Sequence, residues 1–314
     1  MPLVMESPAA TQIAGEPRPA FDYHEAFSRN IGLFTLEEQE RLRRGHVAIA
    51  GMGGVGGVHL ITLARTGIGN FTIADPDRFE LANMNRQYGA RVDTIGRSKV
   101  EVMAEEVQRI NPEAVVRVLN EPIGAENIDA FLDGAELVLD GLDFFAMPAR
   151  RLVFRAARAR GVWALTAGPH ALSAALVCFS PTGMRFDDYF DLRDGVSEEE
   201  QTVAFAVGGT PRHVHLAYLD FKKYFSVGQR RAASAGLACQ LASSIVATES
   251  VKILLGRGHV RPAPCYLQFD AYRQKLVKGR LVWGNRGPVQ RLKRFWLRRQ
   301  RATQPKSNTI TTPA

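Results

Sequence analysis

A short apolar run, Val47-Ala48-Ile49-Ala50, leads directly into a glycine-rich turn, Gly51-Met52-Gly53-Gly54-Val55-Gly56. A buried strand that enters such a turn and opens a helix forms a cradle for phosphate, because glycines let the backbone approach the anion and the helix N-terminus stabilises its charge. A second apolar run, Phe71-Thr72-Ile73-Ala74, ends on Asp75. A carboxylate at that place can accept hydrogen bonds from ribose hydroxyls. The stretch therefore predicts a nucleotide site on a Rossmann-like sheet.

Outward from this stretch, apolar runs alternate with helical patterns as far as a fifth strand at Trp163–Thr166. This alternation predicts an α/β fold with a doubly wound, mainly parallel sheet. Val115–Leu119 has apolar residues on both faces, as expected of a buried parallel strand. Later strands, with a hairpin formed by 266–269 and 275–282, predict a C-terminal antiparallel extension. Leu237–Leu255 is predicted to be a long buried helix. The acidic-aromatic segment Phe186–Asp191 is predicted to be a surface loop, with the lining of an acceptor site as the alternative.

The charges divide the 314-residue chain into unequal parts. The net charge is +8, yet no acidic residue follows Asp270, and twelve Lys or Arg lie between Arg273 and Lys306. The rest of the chain is mildly acidic. We predict a flexible arm at 1–20, a nucleotide-binding domain at 21–285 and a basic tail at 286–314. The tail fits an amphipathic helix on an anionic membrane surface, a docking site for tRNA, or a solvated segment.

The cysteines and the apolar runs indicate a cytoplasmic protein. There are three cysteines, Cys178, Cys239 and Cys265, which are too few and too scattered for a disulfide framework. Because no Cys-x-x-Cys pair is present, no zinc is expected. Cys178 and Cys239 lie in apolar segments and are predicted to be core residues. No uninterrupted apolar run reaches the roughly 20 residues that span a bilayer, and the first 19 residues lack a signal pattern.

Cationic and amide side chains follow the glycine turn and suggest chemistry on the phosphates. The turn alone is shared by nicotinamide and flavin enzymes, in which the pyrophosphate bond is not broken. Adenylyl transfer differs, because a carboxylate attacks the α-phosphate and negative charge builds on the phosphate oxygens. Arg86 offers a planar fork of donors, and Lys99 offers a compact charge. Asn85 and Gln87 can complete a polar wall around them.

A candidate metal ligand follows the fourth predicted strand, in Leu139-Asp140-Gly141-Leu142-Asp143. Ligands bind at the carboxyl ends of parallel strands, and Mg²⁺ is held by one or two carboxylates together with water and phosphate. We prefer Asp143, which lies beyond the strand, whereas Asp140 could cap a turn. His170, shortly after strand five, is a candidate polar contact for the tail of a substrate.

Over residues 23–257 the chain resembles the ThiF/MoeB/HesA family, the bacterial relatives of ubiquitin-activating enzymes. The resemblance rests on seven motifs in order, which are Phe27-Ser28-Arg29-Asn30, Gly51-x-Gly53-Gly54-x-Gly56, Asp75-x-Asp77, Asn85-Arg86-Gln87, Gly96-x-x-Lys99, Ile110-Asn111-Pro112 and Asp140-x-x-Asp143. The stretch from Ala64 to Gly69 also resembles the branch that cyclises a threonylcarbamoyl tRNA base.

The resemblance implies an ATP- and Mg²⁺-dependent adenylyltransferase that works as a homodimer. Its acceptor would be the C-terminus of a small ubiquitin-like or sulfur-carrier protein, or a peptide. Arg86 and Lys99 would hold the phosphates, Asp143 the Mg²⁺, and Arg29 would reach the phosphates from the partner subunit. The nucleotide itself would contact Gly51, Gly53, Gly54, Gly56, Asp75, Asp77, Asn85 and Gln87.

Two departures from the family pattern keep other functions open. The zinc-binding cysteine pairs that are common in the family are missing, and Phe144 stands where an asparagine is frequent. One alternative function is a nicotinamide- or flavin-dependent oxidoreductase. Others are a tRNA-modifying cyclase or dehydratase, and a protein that binds ATP without catalysis.

Overall fold

Strands and helices alternate along the part of the chain that the computed structural model describes, residues 20–219, 225–226 and 231–302. The predicted arm, apart from Ala20, and the segment after residue 302 lie outside these ranges. The helices are α1 (Tyr23–Ala26), α2 (Leu36–Arg44), α3 (Gly56–Arg65), α4 (Lys99–Ile110), α5 (Ile128–Leu132), α6 (Met147–Ala159), α7 (Phe186–Phe190), α8 (Glu198–Gly209), α9 (Gly236–Leu255) and α10 (Pro288–Ala302). The strands are β1 (His46–Ala50), β2 (Asn70–Ala74), β3 (Val115–Leu119), β4 (Leu137–Asp140), β5 (Trp163–His170), β6 (Ser173–Phe179), β7 (Phe225–Ser226), β8 (Arg231–Ala232), β9 (Cys265–Asp270) and β10 (Lys275–Arg280).

The main sheet has eight strands in the order β10-β9-β6-β5-β4-β1-β2-β3. Five neighbouring strands, β5, β4, β1, β2 and β3, are parallel to one another. The other three, β6, β9 and β10, run antiparallel to their neighbours. The predicted fold class and its antiparallel extension are therefore confirmed. β5 pairs with β4 only as far as Thr166, but it continues beside β6 to His170. The β5–β6 hairpin thus projects past the carboxyl edge of the parallel strands.

Helices cover both faces of the sheet. One apolar cluster joins the sheet to α2, α3, α4 and α9, with Leu60, Met103 and Val246 fully buried. The other contains many aromatic rings, including Phe154 and Phe190, and joins the sheet to α5, α6, α7 and α8. Of the described helices, α9 is the one whose length and composition would suit a membrane span. In this fold it packs against α3, β5 and β6, and it ends at Gly256 as predicted.

Two expectations from the sequence were wrong. β3 is an edge strand that pairs with β2 alone, so Val115 is 55% exposed although its pattern suggested burial on both faces. The segment from Phe186 is a helix rather than a surface loop, and the rings of Phe186, Tyr189 and Phe190 enter the core. These rings recur at helical spacing, which was the signal in the sequence.

The predicted basic tail is helical as far as Ala302 and packs on α8. Leu297 is buried against Val203 and Val207. Arg294 pairs with Asp191 over 2.6 Å, and both side chains are largely buried. The opposite face of α10 exposes Val289, Leu292 and Phe295.

Candidate functional site

The glycine turn brings the ends of β1 and β4 into direct contact with the start of α3. Gly51 has a φ of +89°, and a Cβ there would overlap the carbonyl oxygen of Gly141. A Cβ on Gly56 would overlap the carbonyl oxygen of Gly51 in the same way. α3 begins at Gly56 without a side-chain cap and without an acidic residue in its first turn. The N–H of Gly57 donates to the carbonyl of Gly53, whereas those of Gly56 and Val58 are left to bind an anion.

Asp75 is held rigidly at the end of β2. Its carboxylate accepts hydrogen bonds from the backbone N–H groups of Met52 (2.6 Å) and Asp77 (2.9 Å). Burial raises the pKa of Asp75, and Lys99 and these two N–H groups act in the opposite direction. Lys99, the first residue of α4, donates to Asp77 over 2.9 Å, and its side chain is only 7% exposed. A buried ammonium that pairs with an exposed carboxylate is available to a phosphate.

The predicted residues mostly share one cleft of about 630 Å³ at the carboxyl edge of the sheet. Those that line it are Gly51, Gly53, Gly54, Asp75, Asp77, Arg86, Gln87, Lys99, Asp143 and His170. Gly56 and Asn85 lie just behind the wall, because Gly56 opens α3 and Asn85 accepts a hydrogen bond from Arg86. Their roles with a nucleotide remain predictions.

The polar wall around Arg86 is tied to the start of α9. Asn85 donates to the carbonyl of Ser234 over 2.9 Å, and the Arg86 guanidinium donates to Asn85 and to the carbonyl of Ala82. Gln87 is buried, and among the described residues its Oε1 has no hydrogen-bond partner. An unpaired buried acceptor is costly, so a donor from a bound ligand would stabilise this site. Cys239 is buried as predicted, although it also lines the cleft, and burial raises its pKa.

The structure separates the two candidate carboxylates of the β4 loop. Asp140 is buried, and it accepts hydrogen bonds from Arg150 and Thr166, each over 2.8 Å. Asp143 is exposed in the cleft, where its Oδ1 accepts from the backbone N–H of Phe145. Asp143 is therefore the carboxylate that can reach a metal ion, whereas the oxygens of Asp140 are occupied by hydrogen bonds within the protein.

Arg150 is a site residue that the sequence analysis missed. Its guanidinium donates to the carbonyls of Leu142 and Asp143 (2.9 Å each) and of Phe144 (3.2 Å), in addition to Asp140. Its side chain is 2% exposed, and its Cζ lies 4.4 Å from the centroid of the Phe205 ring. Arg150 thus holds the backbone of the loop that carries Asp143. Arg150 is one of four arginines in α6, and no signal in the sequence set it apart from the others.

Arg29 is not part of the cleft of its own chain. It is exposed in the 3₁₀ turn Ser28–Asn30, and Asn30 donates to the carbonyl of Thr66 at the far end of α3. A ten-residue helix is about 15 Å long. The Ser28–Asn30 turn therefore lies at the opposite end of α3 from the glycine turn, and a contact between Arg29 and a nucleotide across a dimer interface stays a prediction.

The ThiF family model matches residues 27–285 of this chain. The tRNA threonylcarbamoyladenosine dehydratase of Haemophilus influenzae is 40% identical over 123 residues, which cover 39% of this chain and 47% of that protein. The ubiquitin-like modifier-activating enzyme 5 of Drosophila mojavensis is 45% identical over 98 residues, or 31% of this chain and 24% of that protein. The matched part of this chain thus spans about half the length of the dehydratase.

Among solved structures, Escherichia coli MccB with ATP shares the fold. The TM-score is 0.60 at 18% identity, with 84% of this chain and 72% of that chain covered. Because the family model covers most of the chain and includes the glycine turn, Lys99 and Asp143, the chain belongs to the ThiF family.

Proposed function

We propose that this chain is an ATP- and Mg²⁺-dependent adenylyltransferase that activates a carboxylate. The observation that carries the proposal is the meeting of Arg86, Lys99 and Asp143, from three separate segments, in one cleft with the glycine turn and Asp75. Two cations and a free carboxylate beside a phosphate cradle suit a reaction that breaks a phosphoanhydride bond. A hydride-transfer enzyme needs no such groups at its pyrophosphate.

The reaction forms one bond and breaks one bond. An oxygen of the acceptor carboxylate bonds to the α-phosphorus of ATP, and the bond from that phosphorus to the bridging oxygen breaks. Pyrophosphate leaves with the electron pair, and an acyl-adenylate remains. Arg86 and Lys99 would donate hydrogen bonds to the phosphate oxygens and stabilise the charge that grows on them.

The residues present fit a magnesium ion better than a metal held by protein ligands alone. Within the described ranges, no group of three or more His, Cys, Asp or Glu is placed to hold a metal. Asp143 would supply one ligand, and water and phosphate oxygens would supply the others, as Mg²⁺ prefers. When bound, the ion would neutralise phosphate charge.

The names of the relatives point to two kinds of acceptor, and both offer a carboxylate. A ubiquitin-like modifier ends in a C-terminal carboxylate, and a threonylcarbamoyl group carries the carboxylate of threonine. The proposed chemistry is therefore the same for either acceptor. Residues that contact the rest of the acceptor, away from the phosphates, would select one acceptor over the other. We also propose a homodimer in which Arg29 of one subunit completes the site of the other.

Nucleotide titration and ATP–pyrophosphate exchange test the proposal. The protein should bind ATP with Mg²⁺ in preference to NADH. With a peptide or modifier acceptor, Lys99→Met and Asp143→Ala should each lower exchange by about 10²-fold or more, the usual loss for one transition-state donor. Lys252→Met is a matched control, because Lys252 pairs with Glu249 over 2.7 Å on α9, away from the cleft. Tight NADH binding without ATP binding, or full exchange by both cleft variants, would disprove the assignment.

Mixing inactive variants tests the role of Arg29 in a dimer. If Arg29 acts across the interface, Arg29→Ala and Asp143→Ala should each be inactive, and their mixture should regain about a quarter of wild-type activity. Random mixing makes half of the dimers mixed, and one of the two sites in each mixed dimer is intact. No recovery after unfolding and refolding the mixture would exclude a contribution in trans.

A further inference from the structure

A small chamber of about 60 Å³ lies beside the cleft, next to β5. Phe144, Pro169, His170 and Ala232 line both spaces, so the chamber adjoins the cleft directly. The other walls come from α8, from the 3₁₀ helix Val214–Tyr218 and its preceding His213, and from α10, which contributes Trp296 and Leu297. The chamber is thus assembled from segments that are far apart in sequence, and the basic C-terminal helix forms one side of it.

The chamber lies on the acceptor side of the proposed nucleotide site. Asp75, the glycine turn and Asp143 follow β2, β1 and β4, which are adjacent strands, and β5 is the next strand beyond β4. Neighbouring strands are about 4.8 Å apart, and one extended residue spans about 3.5 Å. A carboxylate that reacts beside Asp143 would therefore bring the last or second-to-last residue of its chain to the mouth of the chamber.

The polar side chains that line the chamber include three histidines and Thr210, whose hydroxyl donates to the carbonyl of Ala206. The rings of His170 and His215 stack with centroids 5.5 Å apart, and the ring of His213 lies 6.3 Å from that of His215. Burial lowers the pKa of His213 to about 3 and of His215 to about 4, and it lowers the pKa of His170 as well. Lys293 on α10 acts on His213 in the same direction, while Asp270 on β9 opposes the shift of His215. The described residues that line the chamber include no Asp, Glu, Lys or Arg, so a charged group that entered would lose its water without gaining a counter-ion from these residues.

The size of the chamber selects among uncharged groups. A cavity of about 150 Å³ that is lined by apolar side chains binds benzene. The chamber has less than half of that volume, so an aromatic side chain or a nucleobase would not fit, whereas a side chain of about the size of valine would. The apolar walls formed by Val207, Leu216 and Leu297 suit such a group.

We infer that this chamber is a specificity pocket of the acceptor site, which admits a small uncharged aliphatic side chain from one of the last two residues before the activated carboxylate. The inference rests on the proposed adenylyltransferase function and narrows its acceptor to a peptide or protein C-terminus. A threonylcarbamoyl group on a tRNA base would present a threonine side chain of similar size, but its hydroxyl group suits these apolar walls less well than an aliphatic side chain does.

Calorimetric titration of the full chain, loaded with a non-hydrolysable ATP analogue and Mg²⁺, tests the pocket. The probes are acetyl-Gly-Val-Gly and acetyl-Gly-Gly-Val, compared with the same peptides carrying Lys, Asp or Trp in place of Val. We expect one of the valine peptides to bind at least 10-fold more tightly than its charged or aromatic counterparts. Ala206→Phe should fill the chamber and abolish this preference, and Ala206→Ser at the same position should preserve it.

The outcomes separate this inference from the proposed function. If the ATP analogue does not bind, the proposed function fails. If it binds but the valine peptides show no preference, or if Ala206→Phe retains the preference, the inference alone is wrong. The inference is also wrong if the protein binds an anticodon stem-loop with threonylcarbamoyladenosine and none of the peptides, and if Ala206→Phe binds this RNA as tightly as the wild type does.

Discussion

Replacing Arg150 by methionine should damage both the fold and the proposed metal site. The substitution keeps an unbranched side chain of similar reach but removes the guanidinium. It leaves the Asp140 carboxylate buried with only the Thr166 hydroxyl and the Leu142 N–H as partners. It also removes the donors of three consecutive carbonyls, those of Leu142, Asp143 and Phe144.

The expected loss in the free energy of unfolding is about 3–5 kcal/mol, the usual cost of breaking a buried ion pair from one side. Part of this cost comes from the stranded charge of Asp140. The double variant Asp140→Asn/Arg150→Met should therefore be more stable than the sum of the two single losses predicts. We expect a coupling energy of about 1–3 kcal/mol, measured by urea unfolding of all four proteins.

The substitution should also change the magnesium dependence of the proposed reaction. Because Arg150 holds the backbone of Asp143, its loss should raise the Mg²⁺ concentration needed for half-maximal ATP–pyrophosphate exchange, by about 10-fold or more. Arg150→Lys should restore part of the stability and little of the magnesium dependence, since one ammonium cannot reach the same set of acceptors.

The neighbouring Arg151 provides a matched control. It is also largely buried, and it pairs with Asp187 (3.0 Å) and Asp194 (2.7 Å), but it does not line the cleft. Arg151→Met should destabilise the protein without changing the magnesium requirement of the remaining folded fraction. The reasoning is refuted if Arg150→Met is no less stable than Arg151→Met, or if its magnesium dependence is that of the wild type.

Two further predictions concern the glycine turn and the buried histidines. Gly51→Ala should lower the free energy of unfolding by urea more than Gly96→Ala does. Both glycines have a positive φ, but only at Gly51 would a Cβ overlap the backbone of another segment, that of Gly141. Equal losses would show that the backbone moves to relieve this overlap. The folded-state pKa values of His213 and His215 lie below the ordinary 6.5, so the unfolded chain binds more protons as pH falls. The stability that the two neutral histidines give the folded state is complete above about pH 6.5. As the pH falls towards 4, the free energy of unfolding decreases by up to about 1.4 kcal/mol per pH unit for each histidine. In the double variant His213→Gln/His215→Gln, the free energy of unfolding should decrease less steeply between pH 7 and pH 5 than in the wild type. An unchanged slope would show that these histidines do not have lowered pKa values in the folded protein.

The sequence by itself determined the parts of this protein that depend on local patterns. The glycine turn between β1 and α3 could be recognised because strand, turn and helix each leave a signature within a few residues. The alternation of apolar runs with helical patterns was enough for the parallel sheet. The types of side chain that chemistry on phosphate requires were also visible, and Arg86, Lys99 and Asp143 do lie together in the cleft.

Only the tertiary structure decided which of these groups are available and what surrounds them. The sequence favoured Asp143 over Asp140 as a metal ligand only by its place beyond the strand. The structure gives the physical reason, because Arg150, ten residues after Asp140, pairs with Asp140 and leaves Asp143 in the cleft. The exposure of β3 depended on strand order, and the chamber beside His170 depended on α8 and α10 meeting the β5–β6 hairpin. Contacts between segments far apart in the chain depend on how whole elements pack, and no periodicity within one segment encodes them.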